Sequence, residues 1–468
     1  MLNRLIRWFD DRLGGTRFTR KALDKVFPDH WSFMLGEIAL YCFIVLVLTG
    51  VFLTFFFHAS SQDVVYQGSY APLAGVHMSE AYRSTVNLSF DVRAGLVIRQ
   101  IHHWAALVFI GAIVVHLCRV FFTGAFRRPR EINWVVGLTL LVLAIANGFA
   151  GYSLPDDLLS GTGLRIAYSV VLSIPVVGSY VAFFVFGGEF PASDISSRLY
   201  IIHVLIVPAV IVALLSVHLA VVWRQKHTQF PGRGRTERNV VGSRLWPTYT
   251  LRSVALFCAV VAVLGALGGL VQINPIWLYG PEKPYAVSTA AQPDWYMGWL
   301  EGALRLMPAF RLHLFGYRVP ELVVPAVIFP TVTFAVLFLW PTIEKRVTHD
   351  REEHHLLDRP RDHPVRTALG AAVLTFYVIL FIGGSQDLIA QKLGVSILSV
   401  TWVLRVLVLV APLVAAIVTH AVCRDLARDK SLEEAEGEGE PPTAPSEEPA
   451  ALVAAERSAP GGAGRDPD

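Results

Sequence analysis

The sequence predicts an all-α integral membrane protein with eight transmembrane helices. Three observations carry this. The 468-residue chain is 54% apolar and only 16% charged, with a mean hydropathy of +0.50. Eight segments are apolar over enough residues to cross a hydrocarbon core of about 30 Å. Basic residues crowd every second connection between them.

The elements follow in order. Residues 1–30 begin MLNRLIRWFDDRL, an amphipathic pattern without the apolar core or cleavage site of a signal peptide. It reads as a helix on the cytoplasmic leaflet. The spans are expected at 33–57, 96–121, 134–152, 199–223, 251–271, 322–340, 367–383 and 398–422. A ninth apolar stretch, 166–187, is interrupted by Pro175 and Gly178 and reads as paired interfacial helices. From about Lys430 the chain turns to Glu, Pro, Ala and Gly, so 426–468 is expected to be a disordered cytoplasmic tail.

Charge orients the spans. Arg127, Arg128 and Arg130 follow the second span, Arg224, Lys226, Arg233, Arg235 and Arg238 the fourth, and Lys345, Arg346, Arg351, Arg359 and Arg361 the sixth. By the positive-inside rule this face and both termini are cytoplasmic. Eight spans fit that parity and nine do not. The net charge of +3 follows from this topology, and no nucleic-acid partner is expected. Cys42, Cys118, Cys258 and Cys423 are dispersed, with no CxxC or CxxCH. Covalent haem attachment, a zinc ribbon and an iron–sulfur site are therefore unsupported.

Four histidines carry the chemistry. His102 and His116 lie fourteen residues apart on the second span, and His203 and His218 fifteen apart on the fourth. At about 100° and 1.5 Å per residue, fourteen residues return to nearly the same face about 21 Å along the axis. Fifteen give about 60° of drift. Two such helices side by side offer an imidazole pair near each membrane face. Imidazoles above and below a porphyrin iron fill both axial positions, which favours electron transfer over oxygen binding. His103 is only thirteen residues from His116, about 140° off that face. It is expected to pack or hydrogen-bond nearby.

Two glycine pairs match this spacing. Gly36 and Gly50 on the first span, and Gly137 and Gly151 on the third, are each fourteen apart. A flat macrocycle between helices needs gaps of this kind. Arg99 and Arg119 lie one turn from His102 and His116, and Arg198 precedes His203. Each is a candidate partner for a haem propionate, or an interfacial side chain that snorkels to water.

With GYSLPDD at 151–157, IPVVG at 174–178 and QPDWY at 292–296, the pattern over residues 30–425 resembles the cytochrome b subunit of quinol–cytochrome c reductase. The runs FTGAFRRPRE, SLPDDLLSGTG and QKHTQFPGRGRTE are similar to the actinobacterial, menaquinol-using branch, which implies a bacterial plasma membrane. The resemblance implies a haem-binding domain over 31–230, made of a four-helix bundle with two non-covalent b haems, and a C-terminal helical half over 231–425. It implies His102 and His203 on the outer, low-potential haem and His116 and His218 on the inner, high-potential one. Arginines at positions such as Arg99, Arg119 and Arg198 hold propionates in that family. The implied partners are a Rieske iron–sulfur subunit, a c-type cytochrome, a second copy of the chain, membrane lipid and a terminal oxidase in a supercomplex.

The QPDWY loop follows the fifth span on the outer face. Quinol oxidation there requires a proton acceptor, and Asp294, with Tyr296 beside it, is the candidate. The family more often has Glu at this position. Many relatives have Tyr where this chain has Glu301, which reads either as a second acceptor or as the partner of Arg305 at i,i+4. Trp31, Glu37, Arg224, Lys226 and His227 could serve an inner quinone site. Two other classes remain compatible with parts of the pattern. A proton-coupled transporter would use the histidines as relays and bind no haem. A cytochrome b anchor of a dehydrogenase would bind haem but leave QPDWY and the second half unexplained.

Overall fold

The computed structural model describes residues 4, 8, 10–12, 15–190, 192–287, 292–314 and 316–439. The amphipathic stretch 1–13 and the tail 440–468 fall largely or wholly outside them. A first helix, α1, covers Gly15–Leu23. Eight helices are long and apolar enough to cross a membrane, as the sequence predicts. They are α2 (Trp31–Thr54), α4 (Gly95–Phe122), α5 (Glu131–Tyr152), α8 (Ile195–Gln225), α9 (Leu245–Leu270), α11 (Val324–Thr348), α12 (Pro364–Gly384) and α14, whose span is Ile397–Asp429. Shorter helices lie between them: α3 (Glu80–Phe90), α6 (Leu158–Leu172), α7 (Gly178–Phe186), α10 (Gly298–Leu306) and α13 (Gln386–Leu393). The 166–187 stretch is thus two helices, broken at 173–177 around Pro175.

One boundary differs from expectation. Helix α14 continues through Gly439, well past 425. Its extension, from Arg424, has four Glu, two Arg, two Ala and two Leu. These are strong helix formers, and they carry the helix beyond the apolar segment.

Helix α2 packs on α4, α5 on α8, and α9 on both α2 and α4; α10 and α14 pack on α12. Lipid tails are as apolar as Leu, so close backbone approach replaces hydrophobic burial as the driving force. Gly302 of α10 shows this. A Cβ there would sit 1.7 Å from the Leu380 carbonyl oxygen of α12.

The arginine-rich face is tied together by ions. The 349–363 connection passes under α4 and α5. Asp358 binds Arg127 at 2.7 Å, His363 at 3.2 Å and Arg366. Burial opposes its charge, but His363, Arg127 and Arg366 hold its carboxyl down at about 2. Arg130 donates to the His354 and Lys226 carbonyls at 2.6 and 3.1 Å.

The opposite face is tied by caps and aromatic packing. Asp157, fully buried, caps α6: its Oδ2 accepts from the Leu159 amide at 3.1 Å and its Oδ1 from Ser160 Oγ at 2.7 Å. Burial pushes its carboxyl up to about 6, against the opposing pull of Ser160. The Leu158 amide donates to Gly280 O at 2.9 Å, which pins the loop leading to Asp294. Tyr66, Tyr82, Val86 and Ile276 cluster beside it, fixing that loop against α3.

Candidate functional site: paired imidazoles and an acidic loop

His102 and His203 lie toward the loop face, and His116 and His218 toward the arginine-rich face. Toward the loop face, the His102 and His203 rings lie 6.1 Å apart between centroids and are inclined at 76°. Metal–imidazole bonds are about 2.0–2.1 Å, so two trans imidazoles on one metal put their ring centroids roughly 6 Å apart. The separation thus fits a shared axial pair.

Neighbouring groups fix the tautomer of both rings. His203 Nδ1 donates to Asn147 O at 2.9 Å. Thr49 Oγ1 commits its proton to Val45 O at 2.6 Å and is left to accept from His102 Nδ1 at 2.9 Å. With Nδ1 carrying the proton, Nε2 keeps the lone pair that binds a metal.

The fifteen-residue interval is absorbed by the backbone. Residues Ile202–Ile206, which include His203, form a π-turn inside α8. Such a turn is an α-helix with one residue inserted. The fifteen residues therefore act as fourteen, and the 60° drift inferred from a uniform helix does not occur.

The four glycines touch the histidines themselves. A Cβ on Gly50 would lie 3.3 Å from His102 Cε1, and on Gly151 2.3 Å from His203 Cε1. On Gly36 it would lie 3.4 Å from His116 Cε1, and on Gly137 3.6 Å from His218 Cε1. Each glycine clears space for an imidazole from the next helix. At each of the four positions the nearest neighbour of the gap is an imidazole.

Toward the arginine-rich face, His116 Nδ1 is buried without a hydrogen-bond partner. His218 Nδ1 is likewise buried without a hydrogen-bond partner, with the Asn133 backbone nearby. Arg119 stacks 4.4 Å over the Phe33 ring, with buried Nε and Nη2 unpartnered. A buried cation with two free donors fits a carboxylate from outside the chain. Arg99 is 8% exposed, gives Nη2 to Asn274 O at 3.2 Å and leaves Nε without a partner. Arg198 is placed differently. Its Nη1 donates to Phe184 O at the end of α7, and it does not line the cavity around His102 and His203. The turn at Gly187 brings that carbonyl to it.

That cavity contains about 1540 Å³ of empty space, counting its open mouth. Its wall includes Gly50, Gly151, Arg99, His102 and His203, and also His103, Asp294 and Tyr296. Asp294 opens a short helical turn, Trp295–Met297. Its Oδ1 lies 2.7 Å from His103 Nε2, and its Oδ2 accepts from Tyr296 OH at 3.2 Å. Burial, then the Asp294 charge, pushes the Tyr296 phenol well above its ordinary value, so it remains a donor. Its hydroxyl is accommodated by Gly148 of α5, where a Cβ would sit 2.8 Å away.

Glu301 pairs with Arg305, which also binds Asp387 at 2.8 Å. Burial raises its carboxyl, and Arg305 opposes that shift. It does not line the cavity. Asp387 also accepts from Gln292 at 2.9 Å, anchoring the start of the QPDWY loop. The sequence reading leaves the partner of His103 open. It is Asp294, 191 residues away in the chain, and no local signal joins them.

Eight apolar helices, with buried imidazoles on α4 and α8 each backed by a glycine, define the class of helical membrane cytochromes. Comparison with known proteins narrows it. Residues 107–281 match the family model described as cytochrome b(N-terminal)/b6/petB. The cytochrome bc1 complex cytochrome b subunit of Streptomyces coelicolor is 53% identical over 410 residues, 87% of this chain and 75% of the relative. That of Mycobacterium leprae is 54% identical over 404 residues, 86% and 73% of the two chains. A solved chain titled hyperthermophilic respiratory Complex III shares the fold, with a TM-score of 0.66 at 18% identity, covering 89% of this chain and 100% of that one. The chain belongs to the cytochrome b subunits of the cytochrome bc1 complex, a respiratory quinol–cytochrome c oxidoreductase.

Proposed function

We propose that the chain oxidises menaquinol at the cavity beside Asp294 and passes electrons across the membrane to a second quinone site. The arginine-rich face is cytoplasmic, with both termini on that side, and the membrane is the bacterial plasma membrane. His102 and His203 hold an outer haem b, and His116 and His218 an inner one. When bound, the two haems supply one-electron relays across the hydrocarbon core. The observation that carries this reading is the single cavity walled by both the His102–His203 pair and Asp294 with Tyr296.

The residues divide the work. Asp294 accepts a quinol proton at a carboxylate oxygen. Tyr296 and His103 hold that carboxylate from either side. The apolar walls, with Phe109, Ile110 and Pro155 among them, exclude water from the reacting headgroup. Arg99 and Arg119 offer buried donors to propionates. Arg198, spent on Phe184, holds the α6–α7 hairpin instead. Glu301 acts through Arg305 and Asp387, keeping the loop in place. One electron leaves through a Rieske subunit and a c-type cytochrome; the complex is a homodimer that joins a terminal oxidase in a supercomplex. Menaquinol as substrate rests on the resemblance to the actinobacterial branch.

The test is Asp294→Asn in the purified complex. General acid–base catalysis contributes about 10²–10⁴-fold, and turnover of quinol to cytochrome c should fall by that order. Both haem spectra should persist, and Asp294→Glu should recover part of the rate. Wild-type turnover in Asp294→Asn would remove the acid from the mechanism. A haem-free complex would remove the whole reading.

A further inference from the structure

Pro341 sits inside α11, near the end that reaches the arginine-rich face. It has no amide hydrogen, so the Leu337 carbonyl one turn back lacks its helical partner. Trp134 Nε1 of α5 donates to that carbonyl instead, at 2.7 Å. The two helices are thus tied just inside the arginine-rich face, and beyond the tie they leave a groove. Its walls include Glu131 of α5, Thr342, Lys345 and Arg346 of α11, and His349 and Arg351 just after α11. It contains about 890 Å³ of empty space, counting its open mouth.

The cations of this groove differ from their neighbours. Arg127 and Arg366 bind Asp358, Arg128 binds Glu353 at 3.7 Å, and Arg130 donates to backbone carbonyls. Among the described residues, the side chains of Lys345, Arg346, His349 and Arg351 have no ion pair or hydrogen bond. The nearby acids do not compensate them. Glu344 is bound by Trp340 at 3.1 Å and Arg366 at 3.3 Å, and Asp350 by His354 at 2.8 Å, which leaves Glu131 in the wall. A single basic residue at a helix end is explained by snorkelling to water. Three that converge on one gap, with one carboxylate against them, fit an anion from outside the chain. Toward the membrane interior the same surface is apolar. Leu339 lies one turn before Thr342, Val135 one turn after Glu131, and both are exposed. A charged seat above exposed hydrocarbon suits a lipid better than a soluble anion.

We infer that this groove seats the headgroup of an anionic phospholipid from the leaflet on the arginine-rich side. Lys345, Arg346 and Arg351 neutralise its phosphate, Thr342 gives it a hydroxyl, and its acyl chains run along Val135 and Leu339. Basic pockets between transmembrane helices hold acidic headgroups by this chemistry. The seated lipid joins three segments: α5, α11 and the 349–363 connection, whose Asp358 holds Arg127 and Arg366 together.

The purified complex, reconstituted in phosphatidylcholine vesicles that contain a photoreactive phosphatidylglycerol, tests the seat. Label should fall on peptides within 341–351, and unlabelled phosphatidylglycerol should displace it where added phosphatidylcholine does not. Label elsewhere, or equal displacement by the two lipids, overturns the site. Loss of one basic side chain beside an anionic headgroup weakens attraction roughly fivefold. Arg346→Gln should therefore weaken labelling about fivefold, and Lys345→Gln, Arg346→Gln and Arg351→Gln together about a hundredfold. Arg233→Gln, Arg238→Gln and Arg424→Gln together remove the same charge from exposed positions outside the groove, and should leave labelling near the wild-type level. Equal weakening in the two triple variants overturns the seat and leaves diffuse surface charge in its place. Displacement by soluble glycerol phosphate overturns the lipid as occupant. Should the groove triple variant fail to assemble, wild-type labelling in Arg346→Gln would still overturn the site.

Discussion

The two imidazole pairs occupy opposite halves of one bundle and have different surroundings. Around His102 and His203, both Nδ1 atoms have acceptors, Thr49 and Asn147. Around His116 and His218, neither Nδ1 has a satisfied hydrogen bond, and Arg119 supplies a buried positive charge nearby. The glycine contacts differ as well. Gly151 leaves His203 no room for a Cβ, whereas Gly36 and Gly137 leave ordinary or nearly ordinary clearance. An imidazole that donates through Nδ1 is a more basic ligand and favours the ferric state. A neighbouring cation favours the ferrous one. The ligation proposed above therefore predicts two potentials, the lower beside Asp294 and the higher beside Arg119.

Glycine substitutions should break this comparison most severely. Gly151→Leu should abolish the outer haem, and Gly50→Leu should impair it. Even Gly151→Ala should reduce haem content, because His203 would have to move. Gly137→Ala should be tolerated, and Gly265→Leu, which meets nothing within 4 Å, should keep both haems. Overpacking costs typically about 1–3 kcal/mol in a core that can adjust, and more where the neighbour is fixed. Pyridine haemochrome content measures this. Equal haem in the Gly151 and Gly265 variants would make Gly151 a packing residue only.

A smaller effect is expected at Thr49. Thr49→Val removes the acceptor of His102 Nδ1 and should raise the potential of the outer haem alone. A tenfold change in ferric preference corresponds to about 59 mV for one electron, and the shift should be of that order or less. A redox titration in the b-haem absorption band would show it. An equal shift in both components would mean that Thr49 acts on the bundle as a whole. The smallest effect belongs to Arg198→Gln, which should leave both spectra and potentials unchanged, since Arg198 bonds Phe184. Loss of either haem in that variant would return Arg198 to the binding site.

Much of this was legible because membrane helices repeat simply. Spans follow from apolar length, and His102, His116, Gly36, Gly50, Gly137 and Gly151 follow from a fourteen-residue period. What escaped depends on contacts between distant segments or on departures from a uniform helix. The His103–Asp294 pair joins α4 to a loop 191 residues away. The π-turn at Ile202–Ile206 changes the geometry of the fifteen-residue interval, which periodicity assumes to be regular. Arg198 sits at the spacing of a propionate partner, but the α6–α7 hairpin offers it a carbonyl first. The charged end of α14 shows the limit of composition: Glu, Ala and Lys favour helix as readily as they mark a solvated tail.

The most direct test of the two-pair account is a redox titration of wild-type and His116→Ala complexes. The wild type should titrate as two b-haem components. His116→Ala should lose the higher-potential component and keep the lower one nearly in place, because Thr49 and Asn147 still hold His102 and His203. Loss of the lower-potential component instead, or two unchanged components, would contradict the assignment.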